Sequence, residues 1–173
     1  MNGFELEIAM RSDPHVAALY VGTFAADTLP RRVTQRPALI IVNNQKIAES
    51  GEHWLAISID QRGQGEFLDS YGRRPIVKEH KDFLSRNCTR WKYNHTCLQS
   101  IGSDVCGQYC VTYLIHKAHG VSVNQFVHSY FSRDTEKNDS IVRALFSRYT
   151  KKITLCRDLL PHCNKQKCRE RKV

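Results

Sequence analysis

The chain has 173 residues, 41% hydrophobic and 25% charged, which is typical of one globular domain with a substantial core. No apolar run approaches the ~20 residues of a membrane-spanning helix, and the first residues lack the basic region and apolar core of a signal peptide, so we expect an intracellular protein. The net charge is +9, from 26 basic and 17 acidic residues, and most of it lies near the C-terminus.

Two strand-like runs joined by a turn carry the first candidate site residues. Residues 53–60 (HWLAISID) and 65–72 (GEFLDSYG) have the apolar content of strands, and the QRGQG sequence between them is typical of a hairpin turn. Antiparallel neighbours would place Asp69 within reach of His53. A carboxylate there fixes the tautomer of the imidazole and favours its protonated form. The segment therefore offers a general base and an acid that orients it.

A helix is predicted to begin at Cys106. Residues 106–120 (CGQYCVTYLIHKAHG) indicate about four turns, ended by Gly120. Cys106 would then lie at the positive end of the helix dipole, which stabilises the reactive thiolate form. Gln99 precedes it and carries an amide that, with the backbone N–H of Cys106, can hold an oxyanion. The four candidate catalytic residues are His53, Asp69, Gln99 and Cys106.

Two further helices are predicted. Residues 77–87 form an amphipathic pattern that would cover one face of the sheet. Residues 139–153 carry a helical apolar stripe, capped by Asp139 or Ser140, which we interpret as core rather than as a partner site.

Each candidate residue also has an ordinary structural explanation. A cysteine that opens an apolar helix is usually part of the core, and a histidine–tryptophan pair on a strand usually packs there. Asp69, before Ser-Tyr-Gly, is often a turn residue. The order and spacing of the four residues together are what favour catalysis.

The sequence resembles a known family at these positions. The order His, Asp, Gln, Cys differs from papain, in which the cysteine comes first. With residues 20–30 (YVGTFAADTLP) and 37–54 (PALIIVNNQKIAESGEHW), the four residues resemble the adenovirus-type cysteine proteases, or adenains. These share a clan with the SUMO- and ubiquitin-like-specific proteases. The resemblance covers roughly residues 15–120.

Its details are specific. The seven-residue step from Gln99 to Cys106 is the adenain spacing, and Cys110 also fits the adenain pattern. Asp69 departs from that pattern, because adenains usually carry glutamate there, and the Asp-Ser pair is closer to the SUMO proteases.

The resemblance implies an α+β, papain-like fold reached by circular rearrangement, with Cys106 at the N-terminus of a central helix packed on a mixed sheet. Cys106 would be the nucleophile, His53 the base, Asp69 its orienting acid and Gln99 an oxyanion donor. The implied function is cleavage, at glycine-rich motifs, of capsid and core precursor proteins of a virus or virus-like mobile element. We expect a monomer that acts in the virion and the host nucleus and has no membrane partner.

The cysteines are expected to be free thiols, with one exception. In a reducing compartment most of the seven should stay unpaired. The resemblance implies that Cys88 forms a disulfide with a short activating peptide, the ordinary alternative being an unmodified thiol. Three tail cysteines, of which Cys163 follows His162, lack the paired C-x2-C spacing of zinc sites, so no metal is expected. The cysteines are Cys88, Cys97, Cys106, Cys110, Cys156, Cys163 and Cys168.

The C-terminus is strongly basic. Residues 148–173 hold nine basic residues against Asp158 and Glu170, while residues 1–147 carry a charge of only +2. Such a concentration is expected for phosphate contacts, and the resemblance to adenains, which use DNA as a cofactor, indicates the same partner. A solvated tail or a nuclear localisation signal is the alternative. We therefore expect a protease domain at residues 1–150 and a DNA-binding tail at 151–173. The candidate contacts are Lys151, Lys152, Lys165, Lys167, Arg169, Arg171 and Lys172.

Three other functions are compatible with the sequence. A deubiquitinase or SUMO-type protease would cleave a glycine-ended ubiquitin-like substrate, and an acyltransferase would transfer acetyl from acetyl-CoA. A DNA-binding protein with an inactive site is disfavoured, because all four catalytic positions hold competent residues.

Overall fold

The computed structural model describes residues 1–159, with side chains to residue 149. In this part of the chain, five strands form one mixed sheet that is covered by helices on both faces. In chain order the elements are α1 (Gly3–Arg11), α2 (Pro14–Leu19), β1 (Tyr20–Phe24), β2 (Ala38–Asn43), β3 (Trp54–Ile59), β4 (Gln64–Leu68), α3 (Lys78–Asn87), β5 (Arg90–Tyr93), α4 (Cys106–Ala118), α5 (Val123–Tyr130) and α6 (Thr135–Leu159).

The strands lie side by side in their order along the chain. β3 and β4 are antiparallel, as the hairpin pattern predicted, and β2 also pairs antiparallel to β3, whereas β1 pairs parallel to β2 and β5 parallel to β4. Leu39 and Ile41 of β2 pack on one face of the sheet, and Ile40 and Val42 pack on the other. Because both faces are covered, β2 is apolar at consecutive positions instead of alternating with polar residues.

The helix that begins at Cys106 is the centre of the larger core. α4 packs on β3 and is surrounded by α1, α2, α5 and α6, so almost its whole circumference is buried. α3 covers the opposite face of the sheet with Phe83 and Leu84. The predicted fold class is confirmed: an α+β fold with a mixed sheet packed on helices and Cys106 at the N-terminus of the central helix.

Two N-terminal helices were not predicted, although both carry start signals. Asn2 and Glu5 form a reciprocal capping box at the start of α1. Asp13 caps α2 through the N–H groups of His15 and Val16, with proline in the first turn. α1 and α2 pack on the open side of α4 and complete its burial.

The last helix is longer than predicted. α6 begins at Thr135 rather than at a cap on Asp139 or Ser140, and Asp139 points inward from its second turn, only 2% exposed. The helix also continues past residue 150, the predicted end of the protease domain. No helix in the described residues is both long and apolar enough to cross a membrane.

Much of the predicted tail lies outside the described residues. The side chains of Lys151, Lys152 and Cys156 are outside them, as are His162, Cys163, Lys165, Lys167, Cys168, Arg169, Arg171 and Lys172 in full. The DNA-binding expectation and the division at residue 150 therefore stay predictions.

Candidate active site

His53 directly precedes β3, beside the last residue pair between β2 and β3. Its backbone N–H donates to Oδ1 of Asn44 at 3.0 Å, and the N–H of Asn44 donates to the His53 carbonyl at 3.0 Å. These bonds extend the pairing of the strands by one residue. The sheet therefore fixes the position from which the imidazole ring projects.

Asp69 directly follows β4 and orients the histidine. Its Oδ1 lies 2.8 Å from His53 Nε2 and also accepts the N–H of Tyr71 at 2.9 Å. The buried Asn94 holds Asp69 in place, accepting its N–H at 2.9 Å and donating to its carbonyl at 2.7 Å. Because the carboxylate can only accept, Nε2 is the donor in this bond, which leaves Nδ1 to face Cys106.

Cys106 is the first residue of α4, at the positive end of its dipole. The N-cap, Val105, makes no side-chain hydrogen bond, so the first N–H groups of the helix are available to an anion. Burial alone would raise the pKa of the thiol. Hydrogen bonds from His53 and from the backbone N–H groups of Trp54 and Gly107 outweigh it and lower the pKa below its ordinary value.

The pKa of His53 is shifted in the opposite direction. Burial would lower it, but hydrogen bonds to Asp69 and Cys106 raise it to about 9. The contact between His53 and Cys106 contributes to both pKa shifts, since each charge stabilises the other. Both pKa shifts favour the thiolate–imidazolium form of the pair, the reactive state of a cysteine nucleophile.

Gln99 lines the same cleft as Cys106, and its amide is held at both ends. Its Nε2 donates to the carbonyl of Ser103 at 2.7 Å, and its Oε1 accepts the hydroxyl of Ser70 at 2.6 Å. Because a carbonyl can only accept, the contact with Ser103 settles which end of the amide is nitrogen. Gln99, Ser103 and Cys106 line one cleft, and the second amide hydrogen of Gln99 has no partner among the described residues.

The cleft has a volume of about 400 Å³. Three of the four candidate catalytic residues line it, namely His53, Gln99 and Cys106, whereas Asp69 does not. Trp54 forms part of its wall, and its indole N–H donates to the carbonyl of Met1 at 3.0 Å. Tyr71 lies against the His53 ring at 4.9 Å between centroids, and the Arg73 guanidinium lies over the Tyr71 ring, 5.0 Å from its centroid. The N-terminus and the loop after Asp69 thus both form walls of the cleft that holds His53 and Cys106.

Three residues that position the catalytic groups were not predicted: Ser70, Asn94 and Ser103. Ser70 directly follows Asp69 in the sequence and donates its hydroxyl to Gln99. Its position next to the catalytic acid is the one sequence signal that could have identified it. Asn94 and Ser103 reach their partners through loops and give no local signal.

Replacing Ser70 with alanine is expected to lower kcat about 10-fold, because the amide of Gln99 loses the bond that fixes its outer end. The matched control is Ser58→Ala. Ser58 is equally buried and bonds Tyr113 at 3.1 Å, away from the cleft. Steady-state kinetics of the two variants test this, and equal losses in both would refute a specific role for Ser70.

Cys88 lies apart from the cleft. It follows α3, its sulfur packs beside Gly65 of β4, and burial raises the pKa of its thiol to about 11. Cys88 is a free thiol, as are the other cysteines with described side chains, Cys97, Cys106 and Cys110. The disulfide with an activating peptide stays a prediction. In the described residues, no group of three or more His, Cys, Asp or Glu side chains could hold a metal ion.

Comparison with known proteins gives fold-level similarities. No family model matches the chain, and no curated protein matches it. Among solved structures, the pS273R protease of African swine fever virus (ASFV) is similar with a TM-score of 0.42 and 22% identity, over 64% of this chain and 44% of that one. The chain thus spans less than half of that protease. The central domain of an uncharacterized protein, Lpg1148 from Legionella pneumophila, has a TM-score of 0.48 and 11% identity, over 88% of this chain and 98% of that one.

Proposed function

We propose that the protein is a cysteine endopeptidase of the adenain type, which cleaves capsid or core precursor proteins of a virus or virus-like mobile element at glycine-rich motifs. The observation that carries the proposal is the pair of His53 and Cys106, whose pKa values are shifted toward an ion pair beside Asp69. A buried thiolate–imidazolium pair that opens into a cleft is suited to attack on a carbonyl carbon.

The proposed mechanism has two halves. The Cys106 thiolate forms a bond to the scissile carbonyl carbon, and the negative charge that moves to the oxygen is held by Gln99 and the N–H of Cys106. His53 then gives its proton to the leaving amine as the C–N bond breaks, which leaves a thioester. Water loses a proton to His53 and attacks the thioester, and the thiolate departs as the carboxylic acid forms. Asp69 holds the ring throughout.

The proposed preference for glycine agrees with the size of the cleft. Its volume of about 400 Å³ lies at the low end of ligand pockets, which span ~300–1,000 Å³. The side chains of Trp54 and Tyr71 occupy part of its rim. The resemblance implies a preference for small residues next to the cleaved bond, and a cleft of this size accommodates them.

The experiment that tests the proposal combines turnover with alkylation. Wild-type protein is incubated with a fluorogenic peptide that contains Gly-Gly, and a second sample is treated with limiting iodoacetamide near pH 6, where an ordinary thiol of pKa about 8.5 is almost fully protonated. We expect peptide cleavage, and loss of cleavage in proportion to one carbamidomethyl group on Cys106, located by mass spectrometry. Cleavage that survives full alkylation of Cys106 would refute the mechanism.

A protease for ubiquitin-like proteins is the second candidate. The observation that favours it is the Asp69-Ser70 pair, which is closer to the SUMO proteases than to the adenains. In this structure the Ser70 hydroxyl donates to the Gln99 side chain. Both candidates share the chemistry and differ in substrate. Release of a tag from the C-terminal glycine of ubiquitin-like proteins, at rates that exceed those for free Gly-Gly peptides, would favour the second.

Activation is a separate part of the proposal. We expect duplex DNA to raise peptide turnover at about 50 mM salt and to lose this effect near 200 mM, because the basic tail would bind phosphates by releasing counterions. The matched variant replaces Lys165, Lys167, Arg169 and Arg171 with glutamine, and it should lose the stimulation but keep basal turnover. Unchanged stimulation would assign DNA binding elsewhere. An activating peptide that joins Cys88 should have no effect on Cys88→Ala.

A further inference from the structure

The loop that carries Gln99 is anchored by more than the site itself. This Gln99 loop (residues 98–103) donates two hydrogen bonds to the segment after β4. The N–H groups of Leu98 and Gln99 both donate to the carbonyl of Ser70, at 2.7 and 3.0 Å. Those bonds tie the loop to the part of the site that holds Asp69. They do not fix its distance from α4, on which the nucleophile lies.

A buried carboxylate makes that second connection. Asp139 of α6 is 2% exposed, and its Oδ2 accepts the hydroxyl of Ser100 at 2.6 Å and the N–H of Ser100 at 3.3 Å. Its Oδ1 accepts the hydroxyl of Tyr109 at 3.0 Å. Tyr109 lies on α4 three residues after Cys106, one turn of helix along. Asp139 thus joins the residue after Gln99 to the helix of the nucleophile.

The neighbouring contacts reinforce this connection. The carbonyl of Leu98, before Gln99, accepts the amide of Asn138 at 3.2 Å and lies 3.1 Å from the Tyr109 hydroxyl, whose single hydrogen is shared between this carbonyl and Asp139. Burial and the charge of Asp139 raise the pKa of Tyr109, which keeps its hydroxyl protonated and able to donate. Both neighbours of Gln99 in sequence are therefore held by the first turns of α6 and by α4.

The carboxylate of Asp139 matters for its hydrogen-bonding chemistry as well as for its position. Among the described side chains, no basic group lies within ion-pair distance of Asp139, so its direct partners are the hydroxyl and N–H of Ser100 and the hydroxyl of Tyr109. A carboxylate accepts on both oxygens, whereas an asparagine accepts on one and presents N–H groups on the other. An asparagine at this position can accept from Ser100 on its oxygen, but its N–H₂ group then offers the Tyr109 hydroxyl a donor in place of the acceptor that Asp139 provides.

We propose that Asp139 is a positioning residue for the oxyanion donor: it fixes the Gln99 loop against α4 so that the Gln99 amide and the Cys106 thiol address the same carbonyl group. The proposal rests on the proposed protease function. It concerns the placement of Gln99 alone, because Asp139 contacts neither His53 nor Asp69.

The test compares Asp139→Asn with Asp134→Asn, which makes the same chemical change at the start of the same helix, where the side chain contacts only the N–H of Lys137. Asp139→Asn is expected to lower kcat 10- to 100-fold with KM changed less than about 3-fold. Asp134→Asn should retain wild-type kcat. Alkylation of Cys106 by iodoacetamide, which forms no oxyanion, should proceed at the wild-type rate in both variants.

A double-mutant cycle separates positioning from a general structural effect. If Asp139 acts through Gln99, Asp139→Asn should change kcat less than about 3-fold in a Gln99→Ala background. A full, additive loss in that background would overturn the proposal, as would slowed alkylation of Cys106. If Asp139→Asn does not fold, judged by circular dichroism, Ser100→Ala removes the shortest of the three bonds and should follow the same pattern.

The outcomes also distinguish the two levels of the proposal. If Asp139→Asn cleaves peptide at the wild-type rate, the positioning role is overturned and the protease function is left intact. Absence of wild-type turnover under every activating condition would overturn the protease function, and the positioning role with it.

Discussion

Replacing Cys106 with alanine is expected to reduce peptide hydrolysis to background, a loss of about 10⁵-fold in kcat for an activated protease. The thiolate is the group that forms the bond to the substrate, and the binding groups that remain, Gln99 and the N-terminus of α4, act only on an intermediate that no longer forms. The measurement is the rate of fluorogenic peptide cleavage at equal protein concentration, followed by mass spectrometry for a trapped acyl adduct in the wild type.

The chain supplies a matched control for this variant one turn along the same helix. Cys110 is fully buried among apolar groups and burial raises the pKa of its thiol well above the ordinary value, so it has no thiolate at neutral pH. Cys110→Ala should keep turnover within about 3-fold of wild type, apart from a modest loss of stability from the small cavity. Equal activity in Cys106→Ala and wild type would contradict the assignment of the nucleophile.

The parts of the fold that could be predicted from the sequence are those with local signals. The β3–β4 hairpin is marked by two apolar runs and a glycine-containing turn, and α4 by a continuous apolar helix ended at Gly120, which has a φ of +89°. Once these strands and this helix form, the positions of the residues at their ends are fixed as well. This explains why His53 and Asp69 could be paired from the hairpin alone.

The support for the site could not be predicted, because it depends on contacts between distant parts of the chain. Asn94 holds Asp69 across 25 residues, and Asp139 holds Ser100 across 39. The sequence predicts Asp139 or Ser140 as a helix cap, because aspartate and serine are common there. The structure instead begins the helix at Thr135, where Asp134 accepts the N–H of Lys137, and Asp139 points inward to Tyr109 of α4, a contact with no local sequence signal.

Replacing Asp69 with asparagine is expected to lower kcat/KM by about 10²- to 10⁴-fold and to move its alkaline limit to lower pH. In the wild type, activity should rise as Cys106 loses its proton, at a pH below the ordinary thiol pKa, and fall near pH 9 as His53 loses its own. The hydrogen bond to Asp69 is the largest of the contributions that raise the pKa of His53. Without the Asp69 carboxylate, only Cys106 opposes the lowering effect of burial, and the limit should shift from about 9 toward the ordinary histidine value of 6.5.

The pH profile makes this prediction specific, since a general loss of stability would lower the rate without moving the alkaline limit. Asp60→Asn is the control: Asp60 caps the β3–β4 turn through the N–H groups of Arg62 and Gln64 and does not contact His53. Its profile should keep the wild-type limit near pH 9. If Asp69→Asn also keeps that limit, then His53 is not held in its protonated form by Asp69, and the ion pair must depend on the thiolate of Cys106 alone.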